Sequence, residues 1–198
     1  MNAITINDRI RYIEAADDPL SADIGIVRQD DSTWLYDVGN GEKNIAGLDG
    51  CYHIVLSHFH ADHTGNIDRL RSESLYLSKE TYDHVHRGTV IEDDLYVGDL
   101  HIFPIPSSHT KGCLGLEVDG TYAFVGDALY SKVKNGYYVY NAQFLKEEIE
   151  ALGRLRSSWL LVSHFKGLIR SKKEVIGELK EIYNTRDKHS SIISVSCK

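Results

Sequence analysis

No stretch of this sequence approaches the roughly 18 consecutive apolar residues that a membrane-crossing helix requires, so no membrane partner is expected. Cysteine is scarce. Cys51, Cys113 and Cys197 are odd in number, follow no C-x-x-C spacing and are too sparse for a disulfide framework, so reduced thiols are expected. Basic residues are in deficit, 22 Lys and Arg against 29 Asp and Glu, and the net charge of −7 argues against a nucleic-acid partner, which needs a Lys/Arg-rich stripe. The densest basic group, Arg170, Lys172 and Lys173, stands beside Glu174 at an expected helix start and reads as a solvated face. Met1 to Tyr12 lacks the basic region and apolar block of a secretory signal and carries Asp8, so a cytoplasmic location is expected. Proline is limited to three residues and the glycines are scattered at turns, which leaves no linker, repeat or low-complexity run. One domain over residues 1–198 is therefore expected.

What is present is two β-rich blocks, each followed by helices. Ile4, Ile6, Ile10 and Tyr12 alternate with polar Thr5, Asn7, Arg9 and Arg11, the period-2 pattern of a half-buried strand. Ile24–Val27 and Thr33–Tyr36 flank Gln29-Asp30-Asp31-Ser32 and read as a hairpin ending at Asp37-Val38-Gly39. A compact strand at His53–Leu56 delivers a histidine-rich segment. Ile67 and Leu70, three apart, point to a short helix over Thr64–Ser72, followed by a strand at Leu75–Leu77 and a helix from Lys79 to about Arg87. Short strands fill Val90 to Val125, with Asp119-Gly120 as a hairpin turn. Leu145, Ile149 and Leu152 repeat at helical spacing against Lys146, Glu147, Glu150 and Arg154. Trp159–Val162 reads as a buried strand, and Ser171 with Glu174 as the capping box of a helix bearing Val175, Leu179 and Ile182.

The chemistry concentrates in Ser57-His58-Phe59-His60-Ala61-Asp62-His63-Thr64-Gly65, three imidazoles and a carboxylate directly after an apolar strand. Imidazole nitrogen and carboxylate oxygen are zinc-type donors, and His58 and His60 on a loop can converge on one ion while Asp62 and His63 turn toward a second. The segment resembles the H-x-H-x-D-H signature of the metallo-β-lactamase superfamily, and further elements follow in that family's order. Ser108-His109-Thr110-Lys111-Gly112 is similar to its H-T-x-G loop, Phe124-Val125-Gly126-Asp127 to its strand-end aspartate, and Leu161-Val162-Ser163-His164 to its final strand-end histidine. Asp37, in Asp37-Val38-Gly39, resembles an early D-x-G aspartate that orients the ligand loop. Two positions depart from the pattern: Asn66 stands where a second glycine is frequent, and Ser163-His164-Phe165 where Gly-His-Gly is.

The resemblance spans Ile24 to Gly167 and implies a fold of the α+β kind, a four-layer αββα sandwich. It implies a metal site of His58, His60 and His109, a second of Asp62, His63 and His164, and Asp127 shared between them. Two zinc ions are the implied cofactors, with iron or manganese as substitutes that a His/Asp site accepts. The implied activity is hydrolysis of a small-molecule thioester, ester, lactone or phosphodiester by a metal-bridging hydroxide, with Asp62 orienting the water or taking its proton. The Asp127 bridge looks closest to the glyoxalase II-like subgroup, although only 34 residues follow His164 and the helical glutathione domain of a full glyoxalase II is not accommodated. Two alternatives stay open: a mononuclear iron oxidoreductase of the persulfide dioxygenase kind, and a non-catalytic metal-binding regulatory protein. No G-x-S-x-G elbow or paired cysteine nucleophile competes with the metal reading.

Other polar groups have two readings each. Lys111, Lys132 and Lys134 are either anchors for an anionic substrate group or solvated lysines. Tyr137, Tyr138 and Tyr140 form either a pocket lip or sheet packing, and Phe165 either narrows the pocket or packs locally. His84 and His86 read as a solvated helix face.

Overall fold

The computed structural model describes residues 3–197. A seven-stranded sheet comprises β1 (Ile4–Thr5), β2 (Ile10–Ile13), β5 (Ile24–Gln29), β6 (Ser32–Tyr36), β7 (Cys51–Val55), β8 (Arg71–Leu77) and β9 (Thr89–Val90), in that spatial order. Between β2 and β5, the small hairpin β3 (Ala16–Asp17) and β4 (Leu20–Ser21) stands apart. A six-stranded sheet comprises β10 (Leu95–Val97), β11 (Leu100–Ile105), β12 (Cys113–Val118), β13 (Tyr122–Gly126), β16 (Trp159–Val162) and β17 (Ile169–Ser171). A third sheet joins β14 (Lys132–Lys134) and β15 (Tyr137–Asn141) to β18 (Ile192–Ser196). The helices are α1 (Ala61–Thr64), α2 (Lys79–Val85), α3 (Ala142–Arg154) and α4 (Lys172–Asn184).

Strand alternation divides the buried apolar residues into three cores, and three cores separate four layers. On β6, Trp34 and Tyr36 face the core between the two large sheets while Leu35 faces outward; on β7, Val55 faces in while Ile54 and Leu56 face out. On the second sheet, Leu114, Leu116, Phe124 and Leu161 meet the same inner core, and Val125, Leu160 and Val162 turn to the opposite face. That outer core is completed by Leu145 and Leu152 of α3 and Val175 and Leu179 of α4, the positions whose spacing predicts amphipathic helices. The other outer core holds Ile67 and Leu70, with Tyr82 and Val85 of α2 packed against it. This is the αββα sandwich expected from the sequence.

Helix starts follow their caps: the Asn141 side chain accepts from the amides of Gln143 and Phe144, and Ser171 accepts from Glu174. Two elements differ from expectation. The single half-buried strand expected from Ile4 to Tyr12 is two antiparallel strands, β1 and β2, which pair Ile4 with Tyr12 and leave Ile4 exposed. The helix expected over Thr64–Ser72 does not form: the single-turn α1 ends at Thr64, successive turns carry the chain on to Leu70, and β8 begins at Arg71 rather than Leu75. Ile67 and Leu70 are buried as their spacing suggests, but the chain reaches them through turns closed by Ile67 N–H to Thr64 and Arg69 N–H to Asn66 carbonyls. The segment of Tyr137, Tyr138 and Tyr140 is a strand of the third sheet.

Glu148 lies on the buried face of α3, with Oε1 lacking a hydrogen-bond partner, and burial holds its carboxyl well above the usual range. The folded state thus retains a proton that the unfolded chain releases above about pH 4.5. Stability is therefore lost as pH rises from there toward the raised folded value, by up to about 1.4 kcal/mol per unit. Thermal melts of Glu148→Gln and wild type at pH 5 and pH 8 are expected to show the variant gaining relative stability at the higher pH. Parallel pH profiles would contradict this assignment.

Candidate metal centre

Two pairs of parallel neighbours, β6 with β7 and β13 with β16, end at the same edge of the sandwich. The residues just beyond their carboxyl ends are Asp37, Ser57-His58, Asp127 and Ser163-His164, which is where open α/β sheets commonly gather ligand-binding side chains. Three backbone positions here are left-handed: Asp37 (φ 61°), Gly126 (φ 54°) and His164 (φ 59°). Such conformations turn the chain out of its strand at once and cluster at functional sites.

His58, His60 and His109 form one group, and Asp62, His63, Asp127 and His164 another; within each, the donor atoms lie within 4.8 Å of one another. His60 Nδ1 stands 2.9 Å from His58 Nε2 and 3.1 Å from His109 Nε2. In the second group, Asp62 Oδ2 is 3.1 Å from His164 Nε2 and 3.5 Å from His63 Nε2. Asp127 stands between the groups, its Oδ2 3.4 Å from His63 Nε2 and 3.5 Å from His109 Nε2. The turn that separates the groups is built on the His60 carbonyl, which accepts from the amides of His63 and Thr64 and from the Thr64 hydroxyl.

The donor chemistry fits divalent cations. Donors each about 2.0–2.2 Å from a common ion stand roughly 3–3.5 Å apart, the spacing found here. Two buried atoms, His63 Nε2 and Asp127 Oδ1, have no hydrogen-bond partner, although such groups are costly to leave unsatisfied. Protonation differs between the groups. Burial pushes His58, His60 and His109 down, and the neighbouring imidazoles add to this, so each ring keeps a free lone pair at neutral pH. Burial opposes a proton on His63 too, but Asp37 and Asp127 outweigh it and push it up to about 10. His164 is raised by its bond to Asp62. Burial pushes Asp62 up, but that same bond and the charge of His63 hold its carboxyl below the usual range, so it is an anion at neutral pH.

Support behind the donors is denser than the sequence suggests. Asp37, fully buried, accepts from the Ser57 amide (2.7 Å), the Ser57 hydroxyl (2.8 Å) and His63 Nδ1 (2.7 Å), which fixes the His63 tautomer. Asn66, in the place of a frequent glycine, is also fully buried and donates to the carbonyls of Val38 and Gly41, tying the histidine loop to the Asp37 loop. Two supporting residues carry no sequence signal. Asp23 accepts from the His164 amide at 2.9 Å and the Ala15 amide at 3.1 Å, and the Tyr130 hydroxyl donates to the Ser163 carbonyl at 2.7 Å. Together they hold the left-handed His164 turn from two sides.

Among the described residues, no further histidine joins the two groups. His84 is exposed as expected, but stacks on Phe59 with centroids 4.2 Å apart. Lys111, Lys132 and Lys134 are exposed. Phe165 is 39% exposed and lies under the Arg170 guanidinium at 5.0 Å.

Gly126 allows the close approach of strand ends that places Asp127. A Cβ there would stand 2.8 Å from Ser57 Cβ and 3.1 Å from the Tyr36 hydroxyl, on a backbone that L side chains rarely adopt. Gly126→Ala is expected to lower stability by about 1–3 kcal/mol and to displace Ser57 from Asp37. Chemical denaturation reads the first effect, and an unchanged midpoint would refute it.

The sequence matches no family model and no curated protein. Solved structures are similar in fold. The DIM-1 metallo-β-lactamase is 14% identical with a TM-score of 0.73, covering 93% of this chain and 97% of that one. An archaeal metallo-β-lactamase superfamily protein from Sulfolobus tokodaii is 16% identical with a TM-score of 0.61, covering 92% and 89%. The chemotaxis sensor ODP, solved as a peroxy diiron species, is 13% identical with a TM-score of 0.69, covering 94% and 96%. The likeness extends past the Ile24–Gly167 span of the sequence motifs to nearly the whole chain. With its His/Asp group at the shared edge of two sheets, this chain has the fold of the metallo-β-lactamase superfamily.

Proposed function

We propose that this protein is a metal-dependent hydrolase holding two divalent cations, zinc in the first instance. The observation that carries the proposal is the convergence of seven donors into two adjoining groups with Asp127 between them, together with the partnerless buried His63 Nε2 and Asp127 Oδ1. His58, His60 and His109 hold one ion, Asp62, His63 and His164 the other, and Asp127 serves both. When bound, such ions lower the pKa of coordinated water and draw electron density from the bond under attack. Asp62, held as an anion and reached from solvent, orients the attacking water and takes its proton. His58, His60 and His109 contribute neutral rings, which suits ligation, whereas His63 and His164 release protons on loading. Asp37, Asp23 and Asn66 keep the donors aimed without touching substrate. The substrate class is an ester, thioester, lactone or phosphodiester.

Elemental analysis of protein purified without added metal is the first test, with two zinc ions per chain expected. The zinc-loaded protein is expected to hydrolyse at least one member of a thioester, lactone and phosphodiester panel, and dialysis against a chelator to remove activity that zinc then restores. One iron per chain with oxygen uptake would replace this reading with oxygen chemistry. Two bound ions without turnover on any class would favour a binding role.

A further inference from the structure

A cavity of about 500 Å³ opens from His109, Asp127 and His164 toward the third sheet and α4. Its walls are Leu129, Val133, Tyr138, Val175, Leu179 and Ile182. The two charged groups beside it neutralise each other: Arg170 Nη2 donates to Glu178 Oε1 at 2.5 Å, while the guanidinium also covers Phe165. The Tyr130 hydroxyl is engaged with the Ser163 carbonyl. On β14, side chains alternate, so Val133 lines the cavity and Lys132 and Lys134 leave by the other face; neither lysine lines it. The space beside the His/Asp group is therefore walled by aliphatic and aromatic carbon, without an unpaired cation to hold an anionic substrate group.

We infer that this cavity, of about 500 Å³, takes the acyl chain of an ester or thioester. The substrate class rests on the hydrolytic reading; occupancy of the cavity by an apolar group does not. The carbonyl lies at the His/Asp group and the chain runs between the β14–β15 hairpin and α4. Helix α4 and the β14–β15 hairpin thereby supply selectivity.

Two measurements separate the parts. Binding of the neutral fluorescent probe N-phenyl-1-naphthylamine, with displacement by decanol, reads the cavity without turnover. Hydrolysis of p-nitrophenyl esters from ethanoyl to decanoyl by the zinc-loaded protein reads the chain preference. Saturable probe binding displaced by decanol is expected, with kcat/KM rising roughly three- to fourfold per methylene until the cavity is filled. Val133→Glu, at a position 65% exposed and so tolerant of charge, is expected to weaken probe binding at least tenfold, while Lys132→Glu leaves it unchanged. Absence of saturable probe binding, binding indifferent to Val133→Glu, or hydrolysis with no chain-length dependence would each overturn the cavity assignment while sparing the hydrolytic reading. Displaceable probe binding lost in Val133→Glu, with no hydrolysis of any ester, would uphold apolar occupancy of the cavity and overturn the proposed reaction.

Discussion

Replacement of Asp127 by alanine is expected to lower kcat/KM at least a thousandfold, about 4 kcal/mol of transition-state stabilisation, and to reduce bound metal from two ions per chain to one or none. The expectation follows from the position of its carboxylate. Oδ2 is 3.5 Å from a nitrogen of the first group and 3.4 Å from one of the second, and Oδ1, buried without a partner, lies 3.9 Å from His164 Nε2. Among the described residues no other carboxylate reaches both groups: Asp62 Oδ2 is paired with His164 and His63, on one side only. Without Asp127, Asp62 would be the one carboxylate left among the seven donors, and the charge of two cations would be less fully offset. Asp127→Asn is expected to be nearly as damaging, because the amide keeps the shape but removes the charge and turns a donor NH2 toward cationic neighbours. Metal content and turnover should be measured beside circular dichroism. The fold should survive, since Asp37 still accepts from His63 Nδ1 and is the larger of the two charges that hold the His63 proton. Full turnover in either variant would end the two-metal reading.

The candidate donors were legible because each is announced locally. His58, His60, Asp62 and His63 are within six residues of one another, and Asp127 and His164 each follow an apolar strand whose end is visible in composition. The helical layer was legible for a related reason: the spacing of Leu145, Ile149 and Leu152 assigns a face without tertiary information, whereas the alternation of Ile4 to Tyr12 hid a hairpin in what read as one strand. What escaped lies in contacts between distant segments. Asp23 meets the His164 amide across 141 residues, and nothing around Ala22-Asp23 marks it as different from any polar residue before a strand. The walls contributed by Val175, Leu179 and Ile182 read as ordinary core positions of an amphipathic helix, because periodicity tells which face is apolar and not whether that face meets a sheet or a cavity. Ile67 and Leu70 show the converse error: two apolar residues three apart satisfy a helix and a series of turns equally, and here the chain takes the turns, with Asn66 tied to the Asp37 loop. Val133 between two lysines likewise reveals its cavity face only once β14 has a partner strand.

The largest effect on stability is expected at Asp37. Its carboxylate is fully buried, as is the His63 ring it contacts, and it accepts three hydrogen bonds from Ser57 and His63. Alanine would strand all three donors and leave the His63 cation without its main counter-charge, a loss of about 3–5 kcal/mol for a broken buried pair. The left-handed backbone at φ 61° adds to this, since alanine lacks the short polar side chain that lets aspartate and asparagine visit that region. At roughly 2–4 °C per kcal/mol for a chain of this size, Asp37→Ala should melt about 6–20 °C lower than wild type. Asn at this position tolerates the backbone and can still accept from Ser57, so it should recover part of the loss while remaining unable to stabilise charge on His63. Metal affinity is expected to fall by roughly 10- to 100-fold in Asp37→Asn, because a ligand imidazole loses the partner that sets its tautomer and aim. Competition against a chromogenic chelator measures that change independently of folding. If Asp37→Asn bound metal as tightly as wild type, Asp37 would be a purely structural anchor of the β6 turn, and the orientation of His63 would have to come from elsewhere.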